Sequence, residues 1–578
     1  MTDANRRYNR WMNDPALDEE SRQELAAIAG QENEIEDRFY MHLQFGTAGL
    51  RGVLGAGTNR MNRYTVARAA AGFARYLAAQ GEAACERGLA ISYDSRRYSD
   101  LFALQTALIF CGHGIRVYLS DQLRPVPMLS FAIRYYQTAA GVMITASHNP
   151  AQYNGFKAYG EDGGQLPPEA AAVVSREMAA IENPVGLTWP SEEEAREKGL
   201  LIEVGPALDD AYIAMLLKLS INRGAAASQA DMSIIYTPLH GTGYLPVTRV
   251  LRESGFRKVH VVKEQALPDP DFSTVESPNP EERSALKMAI DLAGREDAEL
   301  VIATDPDGDR TGLAVRCRDG SYEVLSGNQI GLLLMDYILS AHQQAGTLPE
   351  KSFVVTTIVS TKLARKVAAS YGVRLYECLT GFKFIAELIK TYDEQGDQHY
   401  LFGFEESFGY LAGTDVRDKD AVVTSMLIAE MAADARARGL TLYDLLQDLY
   451  RRFGYAAELT LSIARSGKTG LEKITAGMET LRHQKMDGFA GLPVKAVNDY
   501  LTRERLDLET GDTTEIDLPE SNVLLYEMPG LDWFCVRPSG TEPKIKIYFG
   551  IYRERREESV QVLNQIRGQV ETALEHII

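Results

Sequence analysis

Short apolar runs, each too brief for an ordinary helix and each halted by Gly, Pro or a charged residue, recur along this chain in three successive groups. The first group covers 89–93, 116–119 and 139–144. A second covers 233–236, 259–262 and 298–303, and a third 353–358 and 373–377. Runs of this length bounded by turn residues read as buried strands. Helical patterns over 66–79, 211–219, 330–340 and 422–435 alternate with them, and Ser99 is placed to cap one more helix. Strand and helix alternating in this way predict α/β domains with mostly parallel sheets. Three sets of similar size point to tandem related domains. From about Tyr455 the texture changes to a mixed α+β piece with helices over 470–484 and 558–577.

The length of 578 residues allows three to five domains. A hydrophobic fraction of 45% with 24% charged residues excludes a disordered or fibrous chain. A net charge of -19 argues against nucleic acid or an anionic membrane as partner, so positive charge for an anionic ligand must be local. Five cysteines, far apart and odd in number, indicate neither a disulfide framework nor a zinc site and point to the cytoplasm. No stretch approaches the ~20 apolar residues of a membrane span, and residues 1–40 read as a solvated helical preface.

Several loops carry chemistry. The run Phe45-Gly46-Thr47-Ala48-Gly49-Leu50-Arg51-Gly52 lets backbone approach a ligand and holds one charge, Arg51. Thr145-Ala146-Ser147-His148-Asn149-Pro150 follows a buried strand. Ligands bind at the carboxyl ends of strands in open α/β sheets, so Ser147 is a candidate nucleophile. The turn signal Tyr153-Asn154-Gly155-Phe156-Lys157 brings a basic residue that can reach back toward the serine. Asp305-Pro306-Asp307-Gly308-Asp309-Arg310 places three carboxylates at alternate positions, which repel unless a cation sits between them. Their hard oxygens suit magnesium, manganese or calcium.

Further along, Phe404-Glu405-Glu406-Ser407 offers a carboxylate and a hydroxyl on one side of an extended loop, an arrangement that binds neighbouring sugar hydroxyls. Arg417-Asp418-Lys419-Asp420 reads as a salt-bridged helix start. Arg537-Pro538-Ser539-Gly540-Thr541 combines a guanidinium, hydroxyls and free amides around one concavity, with Lys546 on the returning strand. That set suits a phosphate dianion. A nucleophilic serine, a metal loop, a polyol loop and a phosphate cradle are all needed for phosphoryl transfer to and from a phosphorylated sugar.

The four loops beginning at Thr145, Asp305, Phe404 and Arg537 resemble, in order, the signature loops of the α-D-phosphohexomutases. Thr380-Gly381-Phe382-Lys383-Phe384 and the full length resemble the bacterial phosphoglucomutase branch related to animal phosphopentomutase and glucose-1,6-bisphosphate synthase. The resemblance implies three related α/β domains with mixed sheets (1–205, 206–325, 326–453) and a C-terminal α+β domain (454–578), heart-shaped around a central cleft. It implies an isomerase interconverting α-D-glucose 1-phosphate and glucose 6-phosphate through a phosphoserine enzyme and glucose 1,6-bisphosphate. Phosphopentomutase and phosphomannomutase are the alternatives.

By the same resemblance Ser147 carries the phosphoryl group, and Asp305, Asp307 and Asp309 hold one magnesium ion with its oxygen. Arg51, His148, Lys157, Arg310 and Lys419 surround the donor, with Lys157 or Lys419 as general acid/base. Gly381, Glu405 and Ser407 bind the sugar, while Arg537, Ser539, Gly540, Thr541 and Lys546 hold the phosphate not being transferred. The implied partner is a small sugar phosphate, and the implied state is monomer or homodimer.

Overall fold

A computed structural model of the chain describes residues 2–46, 49–464, 467–484, 486, 488–538 and 544–575. The expected phosphate-loop residues Ser539, Gly540 and Thr541 lie outside the described residues, as do Thr47 and Ala48. The chain divides into two compact units. One comprises Met1–Gly327, Ala386–Phe402 and Ser407–Leu442, the other Asn328–Ile385, Gly403–Glu406 and Tyr443–Ile578.

The amino-terminal helices Asp3–Met12, Glu19–Ala27 and Glu32–Phe39 correct the reading of a solvated preface. Trp11 meets the rings of Phe39 and Tyr64 edge-on at 5.6 and 5.3 Å, inside a buried cluster that includes Leu25 and Ile35. Abundant charge on the outward positions of these helices masked the inward stripe.

The first sheet contains β1 (Leu50–Val53), β2 (Leu89–Tyr93), β3 (Val117–Ser120), β4 (Ala140–Ile144), β5 (Tyr153–Gly160) and β6 (Leu201–Val204), in the order β1-β5-β4-β2-β3-β6. Strands β4, β2, β3 and β6 are mutually parallel, and β5 pairs antiparallel with both β4 and β1. Helices Ser99–Gly112 and Val126–Tyr136 pack on β2 and β4, which is why β4 is apolar without alternation.

Two local expectations change. Residues 153–157 form the start of β5 rather than a turn, because tertiary contacts outweigh the Asn-Gly signal. The Asn154 amide donates to Arg97 O and Ser99 Oγ, and a Cβ at Gly155 would meet Thr145 O at 2.5 Å and Leu50 O at 2.7 Å. Ser99 begins its helix without capping it. Its hydroxyl donates to Asp94 Oδ1 at 2.7 Å, and the cap position falls to Tyr98.

The second sheet contains β7 (Ser233–Thr237), β8 (Lys258–Val261), β9 (Leu300–Thr304), β10 (Thr311–Arg316) and β11 (Tyr322–Val324), in the order β11-β10-β9-β7-β8. Here β8, β7 and β9 are parallel, and β10 turns back antiparallel to β9. The third contains β12 (Ser352–Thr357), β13 (Arg374–Cys378), β14 (His399–Glu405) and β15 (Gly409–Ala412), in the order β13-β12-β14-β15.

The last part holds β16 (Tyr455–Ala464), β17 (Gly488–Phe489), β18 (Leu492–Pro493), β19 (Ala496–Asp499), β20 (Glu504–Asp507), β21 (Thr513–Glu515), β22 (Leu524–Glu527), β23 (Trp533–Pro538) and β24 (Lys544–Arg553). Seven of these form an antiparallel sheet ordered β16-β24-β23-β22-β19-β20-β21, accompanied by helices Gly467–His483 and Arg556–Glu575. The chain is thus three α/β domains with mixed sheets followed by a β-rich α+β domain. Among the described residues no helix is long and apolar enough to cross a membrane.

Candidate active site

Strands β4 and β5 form a hairpin whose loop carries Ser147, so the serine does follow the carboxyl end of a buried strand. Ser147 is 3% exposed and has φ of 53°, the left-handed region that costs a non-glycine residue roughly 1–2 kcal/mol. The Thr145 hydroxyl accepts from the Ser147 amide at 2.8 Å and donates to Asp307 Oδ2 at 3.1 Å. Ser147 Oγ donates to Asp305 Oδ2 at 2.8 Å and lies 3.2 Å from His148 Nδ1. Two loops more than 150 positions apart in sequence therefore meet at one hydroxyl.

The Asp loop is also a hairpin connection, between β9 and β10, with Thr304 opposite Thr311. Gly308 adopts φ of 65° at its tip, and a Cβ there would sit 2.7 Å from Pro125. Asp305, Asp307 and Asp309 are at most 1% exposed, and one oxygen of each lies within 4.8 Å of the other two. Asp305 Oδ1 accepts from the amides of Asp309 and Arg310. Burial first, then the neighbouring Asp307 and Asp309 charges, push the Asp305 carboxyl well above its ordinary range.

These residues fit a divalent ion. Asp307 Oδ1 and Asp309 Oδ1 are buried and accept no hydrogen bond from the described residues, in a set of hard oxygen donors that suits such an ion.

Positive groups close around the trio. Lys157, brought by β5, is buried and donates to Asp307 Oδ2 at 2.7 Å and Asp309 Oδ2 at 3.3 Å. Burial alone would lower its pKa, but Asp307 and Asp309 outweigh this and raise it. Lys419 Nζ lies 3.3 Å from both Asp309 Oδ2 and Asp418 Oδ1.

Residues 417–420 are therefore more than a salt-bridged helix start. Asp420 caps helix Ala421–Ala437, Arg417 reaches Asp393 at 2.5 Å, and Lys419 turns inward to the aspartates. Arg310 Nη1 pairs with Glu281 Oε1 at 2.5 Å, and Arg51 Nη1 donates to Asn149 Oδ1 at 3.1 Å. Burial and then the Arg310 and Arg51 charges hold the His148 imidazole well below its ordinary pKa, hence neutral.

A second constellation lies in the other unit. Glu405, 4% exposed at the end of β14, accepts from the Gly381 amide at 2.8 Å. Arg537 and Lys546 face each other as cross-strand partners of β23 and β24, and Arg537 Nη1 is 3.5 Å from Tyr548 OH. Glu406 accepts from Thr357 Oγ1 at 3.2 Å. Burial, then the Glu405 charge, raise its pKa to about 7 against the pull of Lys546 and Arg537. Ser407 stands between β14 and β15.

The expected residues thus assemble as two clusters. One contains Arg51, Ser147, His148, Lys157, the three aspartates, Arg310 and Lys419; the other contains Gly381, Glu405, Arg537 and Lys546. Sequence reasoning missed Arg96, Glu281 and Glu406. Arg96 left a usable signal, an arginine beside an aspartate where a strand delivers its loop, the position at which such sheets bind ligands.

Comparison with known proteins accords with this geometry. Models of the phosphoglucomutase/phosphomannomutase α/β/α domains I, II and III match residues 42–185, 210–320 and 326–453. A Staphylococcus haemolyticus phosphoglucomutase is 39% identical over 537 residues, covering 93% of this chain and 95% of that protein. In fold the chain is similar to phosphoglucomutase (pp63/parafusin) from Paramecium, with TM-score 0.67 at 16% identity over 93% of this chain and 95% of that one. A Burkholderia thailandensis phosphoglucomutase/phosphomannomutase family protein gives TM-score 0.63 at 17% identity over 92% and 98%. With all three α/β domains matched and a relative of that identity spanning nearly its whole length, the chain belongs to the phosphoglucomutase/phosphomannomutase family, the α-D-phosphohexomutases.

Proposed function

We propose that this protein is a cytoplasmic phosphoglucomutase interconverting α-D-glucose 1-phosphate and glucose 6-phosphate, with Ser147 as phosphoryl carrier and glucose 1,6-bisphosphate as intermediate and primer. The observation that carries the reading is the 2.8 Å contact of Ser147 Oγ with Asp305, inside a buried carboxylate trio flanked by two lysines. Asp305, Asp307 and Asp309 would hold the ion, magnesium in this reading, whose positive charge offsets that of the phosphoryl oxygens.

The remaining work falls to the chain's own groups. In the forward step the O1 or O6 hydroxyl of the sugar forms a bond to phosphorus as the bond from phosphorus to Ser147 Oγ breaks. Lys157 or Lys419, in its neutral amine form, takes the hydroxyl proton, and the ammonium so formed returns a proton to the departing Ser147 Oγ. Arg51 and Arg310 neutralise phosphoryl oxygens, and the neutral His148 orients the serine oxygen. Gly381, Glu405 and Ser407 bind the sugar hydroxyls, while Arg537, Ser539, Gly540, Thr541 and Lys546 hold the phosphate that does not react. The bisphosphate then turns end for end and returns its other phosphoryl group to Ser147. Glu405 and Ser407 suit both orientations because the 3- and 4-hydroxyls exchange places under that rotation.

A coupled assay comparing kcat/KM on the 1-phosphates of glucose, mannose and ribose tests the substrate. Intact mass before and after glucose 1,6-bisphosphate tests the carrier. Glucose 1-phosphate is expected to lead, with a gain of one phosphoryl group lost in S147A. A lead for ribose or mannose 1-phosphate overturns the substrate assignment, and absence of a phosphorylated species overturns the mechanism.

A further inference from the structure

Arg96 lies just beyond β2, outside every role assigned above. It is 3% exposed, and its side chain and that of Asp94 are both fully inaccessible, with Nε 3.4 Å from Asp94 Oδ2. Few isolated charges survive such burial, so the pair must be held by specific contacts. Four of these go to one segment. Nη2 donates to the carbonyls of Ser147, at 2.6 Å, and Asn149, and Nη1 donates to those of Pro150 at 2.9 Å and Tyr153 at 3.0 Å.

The guanidinium also lies over Phe272, its Cζ 4.9 Å from the ring centroid. Asp94 is fixed in turn, accepting at Oδ1 from the Arg96 amide at 3.0 Å and Ser99 Oγ at 2.7 Å. Its own amide donates to Ile144 O at 3.1 Å, the last residue of β4 before the serine loop.

We propose that Arg96, anchored by Asp94, is a positioning residue for the phosphoryl transfer: it gathers the carbonyls of the Ser147–Tyr153 loop and so holds Ser147 in its left-handed conformation with Oγ toward Asp305. This rests on the function proposed above. A loop of this length would otherwise relax the strained φ of Ser147, and its carbonyls would point at random. A planar fork with five donors can serve four carbonyls at once, and a lysine ammonium cannot. Arg96 donates to the main-chain carbonyl of Ser147 and not to its Oγ, so its loss should act on geometry at the serine and spare the ligand grip proposed for Glu405 and Arg537.

The test is R96K, assayed for kcat and KM on glucose 1-phosphate together with the rate of Ser147 phosphorylation by glucose 1,6-bisphosphate, followed by intact mass. The expected result is a fall of about 100-fold in kcat and in the phosphorylation rate, the size associated with displacing a reacting group by about 1 Å. KM should stay within about threefold, and metal-induced thermal stabilisation should persist. Wild-type kcat in folded R96K overturns the inference, as does a loss of kcat matched by an equal weakening of KM. If R96K does not fold, D94N is the variant to read. It keeps the shape of the carboxylate and the guanidinium but removes the buried countercharge, with about tenfold loss of kcat expected at unchanged KM. Wild-type kcat in D94N then overturns the inference. Failure of the wild-type protein itself to become phosphorylated would instead overturn the proposed function, so the two failures are distinguishable.

Discussion

Replacing Asp305 by asparagine separates the electrostatic cost of the carboxylate trio from its purpose. The three carboxylates have oxygens within 4.8 Å of one another. At that distance two like charges repel by about 3.5 kcal/mol at an effective dielectric constant of 20. The metal-free protein escapes much of this because burial, Asp307 and Asp309 push Asp305 toward its protonated form. The carboxamide of D305N reproduces that neutral form: its oxygen can still accept from the amides of Asp309 and Arg310, and its amino group can meet Ser147 Oγ.

The sign follows by linkage. A carboxyl whose pKa is raised on folding binds more protons folded than unfolded, so stability is full below the ordinary carboxylate range. It is lost as pH rises toward the folded pKa, by up to about 1.4 kcal/mol per unit. D305N should therefore melt at or above wild type in chelator at pH 7, with a flatter pH dependence. Magnesium or manganese at 100 times its Kd should stabilise wild type by about 2.7 kcal/mol, or roughly 5–10 °C for a domain of ordinary size, and D305N hardly at all. Thermal scans with chelator and with metal, at pH 5 and 8, read both quantities. A metal-free D305N destabilised by several kcal/mol, or one that retains the full metal-dependent rise, would refute the reasoning.

Other outcomes are specific. S147A should keep its fold and melting temperature but lose mutase turnover and labelling by glucose 1,6-bisphosphate, and near wild-type turnover in that variant removes the serine's role. Glu406 is partly buried, and its pKa is raised from 4.5 to about 7. It should cost up to about 3 kcal/mol of stability as pH rises across that window, and urea unfolding of E406Q should lack this loss. Gly49 has φ of 85°, and a Cβ there would run into Phe156 O. G49A should therefore cost about 2 kcal/mol or more and lower kcat through displacement of Arg51; an unchanged melting temperature would show that the loop can rearrange. Lys419→Met should cut kcat while sparing KM for glucose 1-phosphate, and a change in KM alone would place Lys419 in ground-state binding.

The local grammar of this protein was legible in one dimension. Parallel strands buried along their length read as unbroken apolar runs, so β2, β4, β9 and β12 fall within about two residues of their expected positions. The aspartates at 305, 307 and 309 announce a cation because three carboxylates at alternate positions offer hard oxygen donors and repel unless positive charge is brought among them. What the chain could not reveal locally were pairings that depend on residues far away. Asn154-Gly155 reads as a turn until β1 and β4 are present to flank it. The first 40 residues look solvated until Tyr64 is there to cover Trp11. Lys419 looks like part of a surface helix cap until Asp309 stands 3.3 Å from it.

Arg96 is the clearest case. A sequence shows a charge beside an aspartate, but only folding brings the carbonyls of residues 147, 149, 150 and 153 around it. Propensity and hydrophobic period act over a few neighbouring residues, and they set the elements and the chemistry each loop can offer. The meeting of Ser147 with Asp305 across 158 positions was decided by tertiary structure, since packing alone makes distant groups adjacent and buries them together.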